Sequence, residues 1–429
     1  MSREPAGVQE ALDRFLALHP KLIDLSLDRL QDLLELLGRP ERAMPPAIHV
    51  AGTNGKGSTL AFLKAMIEAA GKTAHVYTSP HLVRFAERIQ LGGEIITDDH
   101  LMDVLSRVQE ANNDRPGTFF ELTTAAAFIA FSETPADYVL LETGLGGRLD
   151  ATNILQPEAV ALSLISRIGI DHQHFLGDSI EAIAREKAGI FKPGVRALFA
   201  PQQDAVRTIL LEEADRLGTR ALPAPPVTPE VPLGLSGNFQ RENAGLAAAA
   251  AAELGIDDSS ITAGLAQAQW AARLSPITAG ALWQAAGGGR HELRLDGAHN
   301  ADAGEAIAAS LTTGPELTKT GSRPVYLLYG LLETKDAQGF LAPLLPHASR
   351  ACAVQIPGAA ASLSAEDAAT AARALGRNDV TTASSLHAGL TEFADAPPGL
   401  VLVCGSLYLA GAFLAENQGL APTADRKAV

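Results

Sequence analysis

The chain is predicted to be α/β: a phosphate-loop domain on a mostly parallel sheet, followed by a smaller Rossmann-like α/β domain. Three observations predict this. Short β-rich runs alternate with helical periodicity over most of the length, the pattern of adjacent strands covered by helices. One strand–loop–helix stretch, Ala47-Ile48-His49-Val50-Ala51-Gly52-Thr53-Asn54-Gly55-Lys56-Gly57-Ser58, has the layout of a phosphate cradle. The strand–helix alternation then restarts after a weakly periodic stretch, 273–289, in a half that carries no glycine–lysine loop. The expected domains are 1–274 and 275–429.

Taken in order, the first strand ends in the glycine loop, and Ser58 is expected to open a helix with Leu60, Leu63, Ile67 and Ala70 on one face. A β-rich run at 73–77 leads into Ser79-Pro80-His81-Leu82. A helix with Leu122, Ala125, Ala126 and Ile129 on one face precedes a strand at 137–141, which ends at Glu142-Thr143-Gly144. The apolar run 159–165 ends toward Asp171-His172. The Pro-rich stretch 221–232 reads as a surface loop, and the alanine-rich run 244–252 as a buried helix. Strands are expected at 292–296, 325–329, 351–356 and 400–403 in the second half. Ligands of such sheets sit beyond the carboxyl ends of the strands, so the segments at these ends can converge.

Bulk properties narrow the function classes. The 429 residues suit two domains, and 47% hydrophobic content supplies their cores. A net charge of −15 without a basic cluster argues against a nucleic-acid binder. Two cysteines, Cys352 and Cys404, exclude a disulfide framework or a cysteine-rich metal site. No apolar run reaches the roughly 18 residues of a membrane span, and the N-terminus lacks the apolar core of a signal peptide. A soluble, cytoplasmic protein without membrane or nucleic-acid partners is expected.

The glycine loop points to nucleotide chemistry. Lys56 is placed to reach terminal phosphates, and the Ser58 hydroxyl to reach a bound Mg²⁺. A glycine separates lysine from serine, a departure from the commoner G-x-x-x-x-G-K-[ST] loop. A glycine loop that only makes a tight turn is the alternative. Ser79 and Glu142, each following a strand, can complete a magnesium site, although Glu142 can equally pair with Arg148. His172 stands between ligand and structural residue. Asp296 can face a nucleotide or belong to a helix cap. Lys187 has no role that sequence physics alone supplies.

Taken together, these segments resemble the folylpolyglutamate synthase/dihydrofolate synthase family of Mur-type amide ligases. The matching motifs are Gly52 to Ser58, Ser79-Pro80-His81-Leu82, Glu87-Arg88-Ile89, Phe120-Glu121-Leu122-Thr123 and Glu142 to Asn153. Asp171-His172, Arg185 to Phe191, Asp296 to Asn300 and Cys404 to Leu407 complete the set, in family order. The resemblance implies a Mur-ligase-type ATP domain and a C-terminal glutamate ligase domain. It implies a ligase that activates a carboxylate with ATP as an acyl phosphate and joins it to L-glutamate. Positioning and charge neutralisation carry such phosphoryl transfer, and a second domain closing on the first would exclude water.

By the same resemblance, Asn54, Gly55, Lys56, Gly57, Ser58, Asn243, Arg273 and Asp296 contact ATP. Ser58, Ser79, Glu142 and His172 hold magnesium, with Lys56, Lys187 and His172 as catalytic groups. Lys187 matches a lysine carried as a carbamate (N6-carboxylysine), which needs an amine with a depressed pKa. A monovalent cation joins Mg²⁺ and ATP as an implied cofactor, and a monomer is the implied state. Dihydropteroate would meet Ile23, Asp24 and Leu25, then Phe120, Glu121, Leu122 and Thr123, then Leu149, Asp150 and Ala151. With all three segments present, the expected enzyme is bifunctional, taking dihydropteroate and reduced folates. The sequence departs from the family at Ala271-Ala272, where Pro-Gly is usual before the arginine matched to Arg273. The rival readings are a synthase that only lengthens glutamate tails, another Mur-type ligase, and a nucleotide-dependent switch without an amine acceptor.

Overall fold

A computed structural model describes residues 5–18, 26–313 and 323–420. The chain divides into two compact units. The first holds the described residues up to Gly234 together with Arg241–Gln269; the second holds Leu235–Gln240 and the described residues from Trp270 onward. The expected boundary at 274/275 therefore falls late. Leu274 packs in the second unit's core, its amide donates to Asp296, and Ala272 accepts from Gly297. The excursion Leu235–Gln240 joins the same unit, with Ser236 taking a hydrogen bond from Arg294 and Asn238 donating to Ser310.

Among the described residues, the first unit carries an eight-stranded sheet. Its strands are β1 (Ala47–Ala51), β2 (Ala74–Tyr77), β3 (Ile89–Leu91), β4 (Glu94–Ile95), β5 (Tyr138–Glu142), β6 (Val160–Ile165), β7 (Ala197–Phe199) and β8 (Ala221–Pro223). Their order is β4-β3-β2-β5-β1-β6-β7-β8, parallel except where β3 pairs with β2 and β4. The buried apolar run of β1 suits a central parallel strand covered on both faces. It lies between β5 and β6, so their carboxyl ends emerge beside the glycine loop. The second unit carries a six-stranded sheet of β9 (Ser275–Ile277), β10 (Glu292–Leu295), β11 (Val325–Tyr329), β12 (Arg350–Val354), β13 (Thr381–Ala383) and β14 (Leu400–Cys404). Its order is β13-β12-β11-β14-β10-β9, and only β9 runs antiparallel.

Three local expectations are corrected. The Pro-rich stretch is not loop throughout, because Ala221–Pro223 forms the edge strand β8, where a terminal proline costs no ladder bond. The helix after the glycine loop begins at Lys56, not Ser58, with Gly55 turning the chain at φ +92°. That helix is buried beyond its predicted face because helix Asp258–Gln267 packs on it. A side chain at Gly264 would collide with the Met66 backbone at 2.4 Å. No described helix is long and apolar enough to cross a membrane.

Candidate active site

The glycine loop hangs from the segment that follows β6. The amides of Thr53 and Asn54 both donate to the Arg167 carbonyl at 2.9 and 3.2 Å. The Thr53 hydroxyl donates to the Gly169 carbonyl and accepts from the Gly169 amide. Asn243 closes the other side. A Cβ on Gly55 would lie 2.1 Å from its Oδ1, so only glycine admits this approach. The loop thus presents the start of helix Lys56–Ala69, whose unpaired amides and dipole favour an anion.

Charged groups gather at this loop. Lys56 Nζ lies 3.8 Å from Glu142 Oε1 and donates to the Gly52 carbonyl at 3.2 Å. Glu142 is the last residue of β5 and is buried; its Oε2 accepts from the Ser79 amide. Arg148 pairs instead with Glu186, which removes the alternative partner proposed for Glu142. Ser58 is buried at the first turn of the helix. These groups fit a hard divalent cation: one carboxylate, two hydroxyl-bearing residues and phosphate oxygens. Among the described residues no three His, Cys, Asp or Glu side chains group as a metal cage. A cation here would take the rest of its shell from phosphate and water.

His172 does not end a strand. β6 stops at Ile165, and His172 follows in the loop at φ +54°, with a half-exposed ring 3.9 Å from Asp171. Helix Gln173–Leu176 starts immediately after it.

Lys187 departs most from its sequence appearance. It occupies the last turn of helix Ile180–Ala188 yet is buried, and its Nζ donates to the Gly52 carbonyl at 2.9 Å. Burial, with Lys56 nearby, lowers its pKa to about 7, while Asp171 and Asp150 pull upward. The loop after β5 seats this helix end. A Cβ on Gly147 would meet the Glu186 and Lys187 carbonyls at 2.7 and 2.9 Å, and Arg148 N–H donates to Glu186 O.

The segments matched to dihydropteroate divide. Ile23, Asp24 and Leu25 lie outside the described residues. Glu121 closes a capping box with Thr118 and pairs with Arg29. Leu122 is core, and Thr123 bonds back to Phe119. Phe120 is only half-buried; its ring stacks on Tyr77 and lies over Gly144. Leu149 is half-buried and Ala151 buried. Asp150 is buried beside them, and its carboxylate accepts from the Gly144, Leu145 and Thr152 amides and the Thr152 hydroxyl. Burial raises its pKa and these bonds oppose the rise.

In the second unit Asp296 follows β10. It accepts from the Leu274 and Ala298 amides, so it is not a helix cap; Asn300 accepts from Ala303 at the start of helix Ala301–Thr313. Arg273 offsets the burial that raises Asp296. The two nucleotide-matched residues of this unit therefore lie together. Sequence reasoning passed over Thr53, the clasp on the loop, and His49, a polar residue inside the apolar run of β1.

A family model described as the C-terminal domain of dihydrofolate synthetase matches residues 283–416. The dihydrofolate synthase/folylpolyglutamate synthase of Bacillus subtilis is 31% identical over 89% of this chain and 92% of its own. The chain belongs to the dihydrofolate synthase/folylpolyglutamate synthase family. An Escherichia coli member solved with DHPP and ADP is 28% identical, with a TM-score of 0.84 over 97% of this chain and 99% of that one. A Yersinia pestis bifunctional member, complexed with AMPPNP and a manganese ion, gives 27% and 0.83 over the same shares. Members of this family, this chain included, are ATP-dependent ligases that form C–N bonds. The fold is the one seen in those structures, which hold ADP in one case and AMPPNP with a manganese ion in the other.

Proposed function

We propose that the chain adds L-glutamate to dihydropteroate, giving dihydrofolate, and adds further glutamates to reduced folates. The observation that carries this is the meeting of the phosphate loop with the Asp150 loop at the ends of β1 and β5, with Lys187 between them in the electrostatics.

In the proposed reaction the acceptor carboxylate oxygen attacks the γ-phosphorus of ATP, and the bond to the β–γ bridging oxygen breaks, releasing ADP. The glutamate amine then attacks the acyl carbon, inorganic phosphate leaves, and the nitrogen loses its proton. Lys56 and the helix start hold the phosphates and offset charge on the transferring group. Asn54, Gly55, Gly57 and Asn243 shape the cradle, and Arg273 and Asp296 are assigned to the same nucleotide. Ser58, Ser79, Glu142 and His172 would hold Mg²⁺, which would neutralise phosphate charge. Phe120, with the Leu149–Ala151 stretch, would receive the pterin; residues 23–25 are assigned to the same substrate. A monovalent cation, a monomeric state and a cytoplasmic setting belong to this proposal.

Lys187 supports a carbamate. An amine with a pKa near 7 is substantially neutral at physiological pH, and its nitrogen can add CO₂ with loss of one proton. The product carboxylate would attract Lys56, which the ammonium repels.

The test is ADP release by the purified chain with Mg-ATP and L-glutamate, comparing dihydropteroate with tetrahydrofolate. Turnover with both supports the bifunctional ligase. Turnover with tetrahydrofolate alone leaves a tail-extending synthase. Hydrolysis indifferent to glutamate would return the switch reading.

A further inference from the structure

A buried hydrogen-bond chain joins the strand of the phosphate loop to the loop of Asp150. His49, in the middle of β1, is fully buried, and its Nε2 lies 2.8 Å from the Thr152 hydroxyl. That hydroxyl donates to Asp150 Oδ1 at 2.5 Å. A threonine has one hydroxyl proton, so the proton of the first bond comes from His49. The direction is therefore set: His49 Nε2–H to Thr152 Oγ1, and Thr152 O–H to Asp150 Oδ1. The other carboxylate oxygen takes the Leu145 amide.

The histidine side of this chain is costly to the fold. Among the described residues, His49 Nδ1 is buried without a hydrogen-bond partner. An apolar side chain would fit the run Ala47-Ile48-Val50-Ala51 without that loss. The ring stays neutral, because burial and nearby Lys192 lower its pKa to about 3, so it serves as a fixed donor. A polar group held at the expense of stability, and aimed at a loop beside the phosphate cradle, marks a positional task.

We propose that His49 and Thr152 are positioning residues whose hydrogen-bond chain holds the Asp150 carboxylate, and with it the Leu149–Ala151 stretch, in the geometry that receives dihydropteroate. The proposal rests on the assignment of that stretch to dihydropteroate. It also makes the pterin loop's geometry a property of the strand that leads into Gly52, so the two substrate subsites share one rigid support.

Steady-state kinetics of the full chain, with dihydropteroate and tetrahydrofolate as alternative acceptors, test it. Thr152→Val, which loses the hydroxyl's bond to the Asp150 carboxylate, raises KM for dihydropteroate about tenfold, and His49→Leu, which loses only the neutral bond behind it, raises it about threefold, both with KM for ATP unchanged. Thr152→Ser and His49→Gln, which keep the donors, recover most of the loss. Asp150→Asn is measured alongside. If it leaves KM for dihydropteroate unchanged, the assignment of the loop to that substrate fails. If it raises KM while Thr152→Val and His49→Leu do not, the assignment stands and the positioning chain is overturned. A uniform loss toward ATP, glutamate and both acceptors, with a lowered Tm and no recovery in the Ser and Gln variants, also overturns it by making the chain a packing feature.

Discussion

Single residues at the site divide into those whose placement was written in local sequence and those whose placement depends on contacts far along the chain. Lys56 belongs to the first group. Replacing Lys56 by Ala should lower kcat by at least about a hundredfold while the circular dichroism spectrum and Tm stay near wild type. Glu142 was legible as the last residue of an apolar strand, but its partner was not, since the sequence offered Arg148 and folding supplies Lys56. The burial of Lys187 was illegible apart from the family resemblance: a lysine in a polar helical stretch normally faces water, and its burial follows from the Gly147 loop laid over the helix end. It should respond to CO₂. Protein prepared without bicarbonate should lose activity and regain it on bicarbonate addition. The recovery should be fuller at pH 8 than at pH 6, because the reactive neutral amine predominates only above about 7. Equal recovery at both values would remove the carbamate.

At the level of elements, the central strands were readable because they are continuous apolar runs ending in glycine or acidic segments. β1, β5 and β11 fall within a residue or so of expectation. The short outer strands β7, β8 and β9 were not, since three residues give no periodicity and their pairing comes from the neighbouring strand. The helix behind the phosphate loop shows the same limit. Leu60, Leu63 and Ile67 of its predicted apolar face are buried, while Ala70 is the half-buried cap; helix Asp258–Gln267 arrives from much later in the sequence and buries more of the helix. Gly264 sets that approach. Gly264→Val should force the helices apart, costing about 2 kcal/mol in urea denaturation and raising KM for ATP. Unchanged stability would mean that the helix pair absorbs the side chain.

On the scale of the molecule, ligand and proton linkage are the measurable quantities. ADP with a divalent cation should raise Tm, EDTA should cancel the increment, and Lys56→Ala should show little of it. The pH dependence of stability has an identifiable contributor in His49. Its pKa is about 3 when folded and near 6.5 when unfolded, so between these values the unfolded chain binds more protons. The native state therefore keeps its full advantage above pH 6.5 and loses it as acid is added. At pH 4.5 this loss amounts to about 3 kcal/mol, and His49→Gln should be spared it. Equal acid sensitivity of wild type and variant, by urea midpoint at pH 7 and 4.5, would assign the effect elsewhere.

The strand order of the first unit also bears on biosynthesis. β1 emerges from the ribosome early, yet its two sheet neighbours are β5 and β6, and the phosphate loop hangs from the carbonyl of Arg167. A nascent chain that has not yet delivered that carbonyl holds every residue of the nucleotide motif with nothing to shape it. Translation must pass β6, and later the segment of Asn243 that braces Gly55, before the young protein can grip its first nucleotide. Stalled fragments ending before and after these points would date the moment at which the growing chain becomes an ATP-binding protein.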